Sequence, residues 1–179
     1  MSFKIENGVL KEYLGKDAEI TVPDGVTEIA ENVFEGCKKL KRITLPASLT
    51  VIGAWAFCGC KKLTEVTFAN GSCLQTIGDQ AFFGCERMAH ITIPASLTSI
   101  GKYAFARAYF LESVTFSVKL AAQKRDTAFR CDMLPFLNCR RLEQICVPTD
   151  MEAAIRENAA ADELEQRGLA REIVVRDDL

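Results

Sequence analysis

Apolar and polar positions alternate in short runs, and the same arrangement of runs returns along most of the chain. One phenylalanine marks the register of each copy, with a small residue three positions later and an apolar residue three positions beyond that. The equivalent phenylalanines are Phe34, Phe57, Phe82, Phe105 and Phe136, at spacings of 23, 25, 23 and 31 residues. A repeat of this length indicates that one supersecondary unit is stacked on the next.

Each copy contains a short segment in which inward apolar residues alternate with outward polar ones, as in a half-buried strand. The inward pairs are Ile43 and Leu45, Val66 and Phe68, Ile91 and Ile93, Val114 and Phe116, and Ile145 and Val147. A partial copy at 20–22 makes six predicted strands. A second extended segment ends in Ile-Gly at 52–53, 77–78 and 100–101, and the Ala-Phe that follows begins a compact turn or short helix. One copy is therefore one coil of a solenoid.

Both ends of the chain carry signals for caps. Residues 3–14 alternate on either side of Asn7-Gly8, a strong hairpin signal, so a hairpin is expected to cover the first coil. Thr149 and Glu152 have capping-box spacing and predict a helix from 149 to about 167. Residues 171–175 predict a final strand. The chain is interpreted as a single domain, 1–179, with a hairpin cap at 1–18, repeats at 19–148, an insertion at about 117–134, and a helix and strand cap at 149–179.

Composition and charge exclude several function classes. Of the 179 residues, 49% are hydrophobic and 26% charged, and a formal net charge of −2 predicts no general attraction to nucleic acid. No apolar stretch is long enough to cross a bilayer, and the first residues lack the pattern of a secretory signal. The chain as given is therefore expected to be cytoplasmic. A cell-surface or secreted location is the alternative if the chain is a fragment.

The eight cysteines are distributed by the repeat rather than in a disulfide framework. Four of them occupy one repeat position and predict a column of small buried thiols: Cys37, Cys60, Cys85 and Cys139. Cys73 and Cys131 fall in segments predicted to be irregular. No cysteine or histidine cluster has zinc spacing, so neither a metal site nor a cofactor is predicted.

The outward strand positions form two columns that are the first candidate binding surface. Their nominated residues are Arg42, Thr44, Glu65, Thr67, His90 and Thr92. Arg42 is expected between Glu19 and Glu65 on neighbouring strands, which favours cross-strand pairing over an acid or base role. The threonines predict a ladder of hydroxyl groups on adjacent strands.

Two departures from the repeat are the second candidate surface. The insertion carries Lys124 and Arg125, and it is either a binding loop or a tolerated surface loop. Tyr109 and Phe110 replace the charged pairs that other copies have at this position. These aromatics are either shielded by the insertion or exposed as an anchor for a partner.

The chemistry of catalysis is poorly represented. His90 is the single histidine, and no phosphate-binding glycine loop, nucleophile elbow or zinc-protease helix occurs. The remaining enzymatic hypothesis is a thiol nucleophile at Cys58 or Cys146, which would need a nearby base. The chain is therefore predicted not to be an enzyme.

The repeated pattern Ile-Gly-x-x-Ala-Phe-x-Gly-Cys-x-x-Leu-x-x-Ile-Thr-Leu-Pro-x-Ser-Leu-Thr resembles the BspA-type, or Treponema pallidum-type, leucine-rich repeat. This resemblance implies a mainly β fold with short helical turns. The expected architecture is a right-handed leucine-rich repeat solenoid with a parallel sheet of about six short strands, an N-terminal β-hairpin cap and a C-terminal α-helix.

The same resemblance implies a bacterial, non-enzymatic function. Proteins of this family have no shared catalytic residues, and some of them adhere to host matrix proteins or other cells. The leading hypothesis is a scaffold for protein–protein interaction whose partner is another protein. The alternative is a bacterial surface adhesion module, and a thiol-dependent enzyme is the third hypothesis.

Overall fold

The structure, a computed structural model, describes residues 3–117, 130–131, 134–149, 152–153 and 172–175. It opens with the predicted hairpin, in which β1 (Phe3–Glu6) pairs antiparallel with β2 (Val9–Tyr13). Asn7 and Gly8 join the strands with φ angles of 52° and 77°. Because both residues are left-handed, the turn twists in the sense that two antiparallel strands require.

All six predicted strands are present and run parallel to their neighbours. They are β3 (Glu19–Thr21), β5 (Arg42–Leu45), β7 (Glu65–Phe68), β9 (His90–Ile93), β11 (Ser113–Phe116) and β13 (Gln144–Val147). The predicted final strand is also confirmed, since β14 (Glu172–Val175) pairs in parallel with β13. Their hydrogen bonding divides them into two sheets, β3-β5-β7 and β9-β11-β13-β14. We call this side of the solenoid the first sheet face.

The second extended segments form a further sheet, which the expected single parallel sheet did not include. Its parallel strands are β4 (Glu28–Ile29), β6 (Val51–Ile52), β8 (Thr76–Ile77), β10 (Ser99–Ile100) and β12 (Arg130–Cys131). The hairpin belongs to this sheet, because β2 pairs with β4. The prediction of an irregular segment at Cys131 is wrong, since Arg130 and Cys131 pair with Ser99 and Ile100. The repeat therefore resumes at β12.

A third side of each coil is a hydrogen-bonded turn, which is the first of the two alternatives, compact turn or short helix, expected for the Ala-Phe segment. The amides of the first four column phenylalanines donate to a carbonyl of the next coil, as from Phe34 to Ala56 and from Phe57 to Ala81, both at 2.8 Å. Left-handed residues two positions before the phenylalanine have φ angles of 52° to 61°: Asn32, Trp55, Gln80, Tyr103 and Leu134. Alternate amides thus donate to the next coil, whereas intervening amides close tight turns within the coil, as from Glu35 to the Asn32 carbonyl at 3.0 Å. The amides that donate to neighbouring coils are not available for helical bonds within the turn.

The core of the solenoid is a continuous stack of phenylalanine rings. Centroids of successive rings from Phe34 to Phe105 are 5.0, 5.0 and 5.2 Å apart, with interplanar angles of 5°, 4° and 3°. Phe136 continues the column at 5.6 Å. At the other end Tyr13 of the hairpin packs 5.2 Å from Phe34 and is itself covered by Phe3. The hairpin thus caps the hydrophobic core as well as a sheet edge.

The glycine of each Ile-Gly pair is required by the close approach of two coils. A Cβ atom on Gly53 would lie 2.8 Å from the carbonyl oxygen of Ile29, and one on Gly78 would lie 2.7 Å from the nitrogen of Ala54. Such distances are shorter than van der Waals contact. The backbone atoms of the adjacent coil are hydrogen-bonded in a ladder, so moving them apart would cost stability.

The Ser-Leu-Thr turn also holds one coil to the next. Ser48 Oγ donates to the Val26 carbonyl at 2.8 Å, and Thr50 Oγ1 donates to the Thr27 carbonyl at 2.8 Å. The leucine between them, Leu49, is fully buried. Two hydroxyl groups therefore satisfy carbonyls of the preceding coil where the strands end.

Two expected features lie mainly outside the described residues. The helix over about 149–167 is described at Thr149, Glu152 and Ala153 alone, and the insertion at about 117–134 is described at Ser117, Arg130, Cys131 and Leu134. In the described part of the chain, no helix has the length and apolar character needed to span a bilayer.

We predict that Gly78→Ala lowers the free energy of unfolding by about 2–3 kcal/mol, because the added Cβ forces adjacent backbones apart. Gly71→Ala is the contrasting control, since its φ of +73° is unfavourable for alanine but no atom lies within 4 Å of the new Cβ. The control is expected to cost about 1 kcal/mol. Equal losses for the two variants in urea denaturation would contradict the close-approach explanation.

Candidate protein-binding surfaces

The first outward column of the first sheet face is an exposed row of charges. Strand register aligns Glu19 with Arg42 and Arg42 with Glu65. The Arg42 guanidinium forms a salt bridge with the Glu19 carboxylate, which confirms the predicted cross-strand pairing. The hydrogen bond from Arg42 lowers the pKa of Glu19 from its ordinary value, and the charge of Arg42 acts in the same direction.

The second outward column contains the predicted threonine ladder. Thr21, Thr44 and Thr67 are in register on one sheet, and Thr92 and Thr115 are in register on the next. Thr67 donates to Glu65 at 3.2 Å, so the two outward columns are linked by hydrogen bonds. The face is therefore polar, with fixed spacing between equivalent groups.

His90 belongs to the column of charges and lies on β9, at the edge of the β9-β11-β13-β14 sheet. Its Nδ1 lies 2.9 Å from Ser113 Oγ, and its Nε2 lies 3.8 Å from a carboxylate oxygen of Glu112. Glu112 is also 3.6 Å from Arg141. Because His90 and Glu112 are exposed, this cluster resembles a solvated interaction surface more than a desolvated catalytic site.

The aromatic pair that breaks the repeat lies directly beside this cluster. Arg140 stacks over the ring of Tyr109 at 5.1 Å, and Arg141 stacks over the ring of Phe110 at 4.5 Å. Tyr109 is half-buried, whereas Phe110 is 46% exposed. We call the surface formed by His90, Tyr109, Phe110, Glu112, Arg140 and Arg141 the Phe110 patch.

The structure brings some of the nominated residues together and leaves others apart. His90 and Phe110 share the Phe110 patch, whereas Arg42, Thr44, Glu65 and Thr67 lie on the β3-β5-β7 sheet. Thr92 lies on β9 beside β11. Lys124 and Arg125, and any shielding by the insertion around them, fall outside the described residues.

Sequence reasoning missed the aromatic residues of the turn face. Trp55 is 37% exposed and has a φ of 53°, and Phe83 lies 5.3 Å below the guanidinium of Arg107. The sequence did contain a signal for the exposure of Trp55. Its repeat position is occupied by Asn32, Trp55, Gln80 and Tyr103, and a mixture of polar and aromatic residues at one repeat position is typical of outward positions.

The predicted column of buried thiols is confirmed at three of its four positions, whereas Cys37 is only half-buried. Cys60, Cys85 and Cys139 are buried, and their Sγ atoms donate to the carbonyls of Phe34, Phe57 and Phe105 at 3.0, 3.3 and 3.1 Å. Burial raises the pKa of Cys139 to about 12 and also raises that of Cys85. These thiols stabilise the fold as protonated hydrogen-bond donors.

The two cysteines considered as surface nucleophiles are poorly suited to that role. Cys146 is only 7% exposed, so the expectation of a surface thiol there is wrong. Burial raises the pKa of Cys58, and the nearby charge of Glu35 raises it further. Among the described residues no group of three or more His, Cys, Asp or Glu side chains is arranged to hold a metal ion.

We predict that the Glu19 carboxyl group titrates at a higher pH in the Arg42→Gln variant than in the parent protein. The lowered pKa of Glu19 depends first on Arg42, so stability from this pair is present at neutral pH and is lost as the pH falls through that pKa. Side-chain NMR measures the midpoint. Arg87→Gln is the control, and a midpoint insensitive to Arg42 would contradict the pairing.

Comparison with known proteins agrees with this repeat geometry. The model of the BspA type leucine-rich repeat region matches residues 4–134 in six copies. A leucine-rich repeat protein of T. pallidum is 33% identical, with a TM-score of 0.66, over 77% of this chain and 62% of that protein. A comparison with curated proteins finds no match.

Two other solved structures share the fold at lower identity. The pneumococcal vaccine antigen PcpA is 20% identical, with a TM-score of 0.67, over 99% of this chain and 46% of that chain. A leucine rich cell surface protein of Faecalibacterium prausnitzii is 20% identical, with a TM-score of 0.53, over 92% of this chain and 38% of that chain. This chain thus spans less than two thirds of each of these three relatives. Since the family model covers most of its length, the chain belongs to the BspA-type leucine-rich repeat family.

Proposed function

We propose that this chain is a non-enzymatic scaffold that binds another protein through the Phe110 patch and the adjoining first sheet face. The observation that carries the proposal is the exposed ring of Phe110, held beneath Arg141 at a position where other copies have charged pairs. Membership of a repeat family supports a scaffold, because the repeated positions serve stacking and the outward positions are free to vary.

The composition of the Phe110 patch is that of an interface centre. Aromatic residues and arginine are enriched where proteins bind one another, and they account for most residues whose truncation is costly. Stacking occupies the faces of the Arg140 and Arg141 guanidinium groups. Apart from the Arg141 nitrogen that faces Glu112 at 3.6 Å, their N–H groups can donate to carbonyl or carboxylate oxygens of a partner.

The patch is also held in place before any partner arrives. Tyr109 and Phe110 follow the buried Ala108 and precede the buried Leu111, and the arginines above them come from the next coil. Side chains fixed in this way lose less conformational freedom on binding than mobile ones. The affinity of the patch for a partner is then set more by the contacts that form than by the conformational freedom that its side chains lose.

The first sheet face extends the proposed surface and supplies specificity. Its outward residues include those nominated from the sequence, namely Arg42, Thr44, Glu65, Thr67, His90 and Thr92. Fixed rows of charges and hydroxyl groups favour partners with complementary groups and disfavour others. Lys124 and Arg125 are proposed to extend the surface on the side of the insertion.

A surface adhesion module is the second candidate function. The observation in its favour is that the F. prausnitzii protein, which shares this fold at 20% identity, is a leucine rich cell surface protein. Protease treatment of intact cells distinguishes the candidates. Adhesion requires digestion of this chain under conditions that spare a cytoplasmic marker.

We predict that Phe110→Ser reduces capture of the specific partner by about tenfold or more, because a central exposed aromatic is truncated. Trp55→Ser is the matched control, since it removes an exposed aromatic from the turn face. Quantitative mass spectrometry of proteins captured from the cells that make this chain provides the measurement. Loss of capture by both variants, or by neither, would overturn the assignment to the Phe110 patch.

A further inference from the structure

The first two cysteines of the thiol column lie on coils that are held together by a ring stack and a backbone hydrogen bond. Phe34 and Phe57, each three residues before its cysteine, stack with centroids 5.0 Å apart and planes 5° apart. Just before Cys37, the amide of Gly36 donates to the Cys58 carbonyl at 2.7 Å. Coils at this separation place equivalent Cα atoms within the range of about 4.4–6.8 Å that disulfides span.

The side chains converge as well as the backbones. Cys60 Sγ lies 3.0 Å from the Phe34 carbonyl oxygen, and the same oxygen accepts the Cys37 amide at 3.1 Å. The Cys60 thiol therefore points across the gap toward the coil that carries Cys37.

We propose that Cys37 and Cys60 are a redox modification site, at which a low-molecular-weight disulfide such as oxidised glutathione converts the two thiols into a reversible disulfide between the first and second coils.

The two thiols are suited to different steps of this exchange. Cys37 is half-buried at the open end of the column, whereas Cys60 is fully buried behind it. The neighbouring Cys60 thiol lowers the pKa of Cys37, whereas the proximity of Cys37, together with burial, raises the pKa of Cys60. Cys37 is therefore the thiol that a dissolved oxidant meets first, in the more reactive state.

The exchange balances without any other reactant. The Cys37 thiolate attacks one sulfur of the small disulfide, forming a mixed disulfide and expelling one small thiolate, which takes up a proton. Cys60 then attacks Cys37 Sγ and expels the second small thiolate, which takes up the proton that Cys60 loses. Two protein thiols are oxidised by two electrons, and one small disulfide is reduced to two thiols.

The remaining described thiols are less suited to the same reaction. Cys85 is adjacent to Cys60 in the column, but both are fully buried, so that pair has no exposed member to begin the exchange. The coil before Cys139 has Ala108 at the equivalent position. Cys73 is exposed but lies in a turn outside the column.

A disulfide here would fasten the end of the solenoid. The first coil has a repeat neighbour on one side only, with the hairpin on the other, and terminal repeats are the first to open in a stacked array. A covalent link closes the chain between Cys37 and Cys60 and reduces the freedom of the unfolded state. Oxidation should therefore protect the hairpin and first coil.

The test uses the full chain with Cys58→Ser and Cys73→Ser, so that trypsin yields peptides 17–38 and 43–61 with one cysteine each. After incubation with oxidised glutathione and alkylation of free thiols, mass spectrometry should find these peptides linked as the main intramolecular product. The link should disappear with excess reduced glutathione. Oxidation should raise Tm by several degrees and slow amide exchange in the hairpin and first coil.

Two variants in the same background serve as controls. Cys37→Ala should abolish the Cys60 link and the rise in Tm, whereas Cys139→Ala should leave both unchanged. A main intramolecular link that involves any other cysteine, or stable glutathione adducts on Cys37 without progress to a link, would overturn the proposal.

Discussion

The contact between equivalent residues of successive coils is the constraint on which the rest of this structure depends. Backbone hydrogen bonds join the coils on two sheet faces and on the turn face, and the phenylalanine rings stack in the centre. A single coil has few partners of its own for its polar backbone groups or its apolar side chains. Stability is therefore a property of neighbouring pairs of coils, and the ends need caps. The hairpin caps the N-terminal end in two ways, because β2 pairs with the exposed edge of a sheet and Tyr13 packs on the end of the ring stack.

The same constraint explains where binding groups can arise. Inward positions, the Ile-Gly glycines and the hydroxyls of the Ser-Leu-Thr turn are committed to the neighbouring coil, so variation is concentrated in the outward columns. In the coil that carries Ala108, Tyr109 and Phe110 occupy two positions that are charged in the other coils. The arginines at the same positions one coil later stack on them. The Phe110 patch is thus a local change of side chains on an unchanged backbone.

Much of the fold could be predicted from the sequence, and the failures have physical reasons. The six strands follow from their alternation, the hairpin from Asn7-Gly8, and the ring stack from the equivalent phenylalanines. The second sheet was missed because strands of two residues, such as Val51–Ile52, are too short to show a period. The turn ladder was missed because left-handed backbone at Trp55 and Tyr103 has no local sequence signal of the kind glycine gives. The surroundings of Phe110 include Arg141, which is distant in sequence, so the sequence left both alternatives for this ring open.

A double-mutant cycle on the ring stack tests the central claim most directly. Phe57→Leu and Phe82→Leu change rings that touch, whereas Phe34→Leu and Phe105→Leu change rings separated by two others. Unfolding free energies of the single and double variants should give a coupling of about 1 kcal/mol for the first pair and additivity within about 0.5 kcal/mol for the second. Additive effects in the adjacent pair, or equal coupling in both pairs, would contradict a solenoid stabilised by contacts between neighbouring coils.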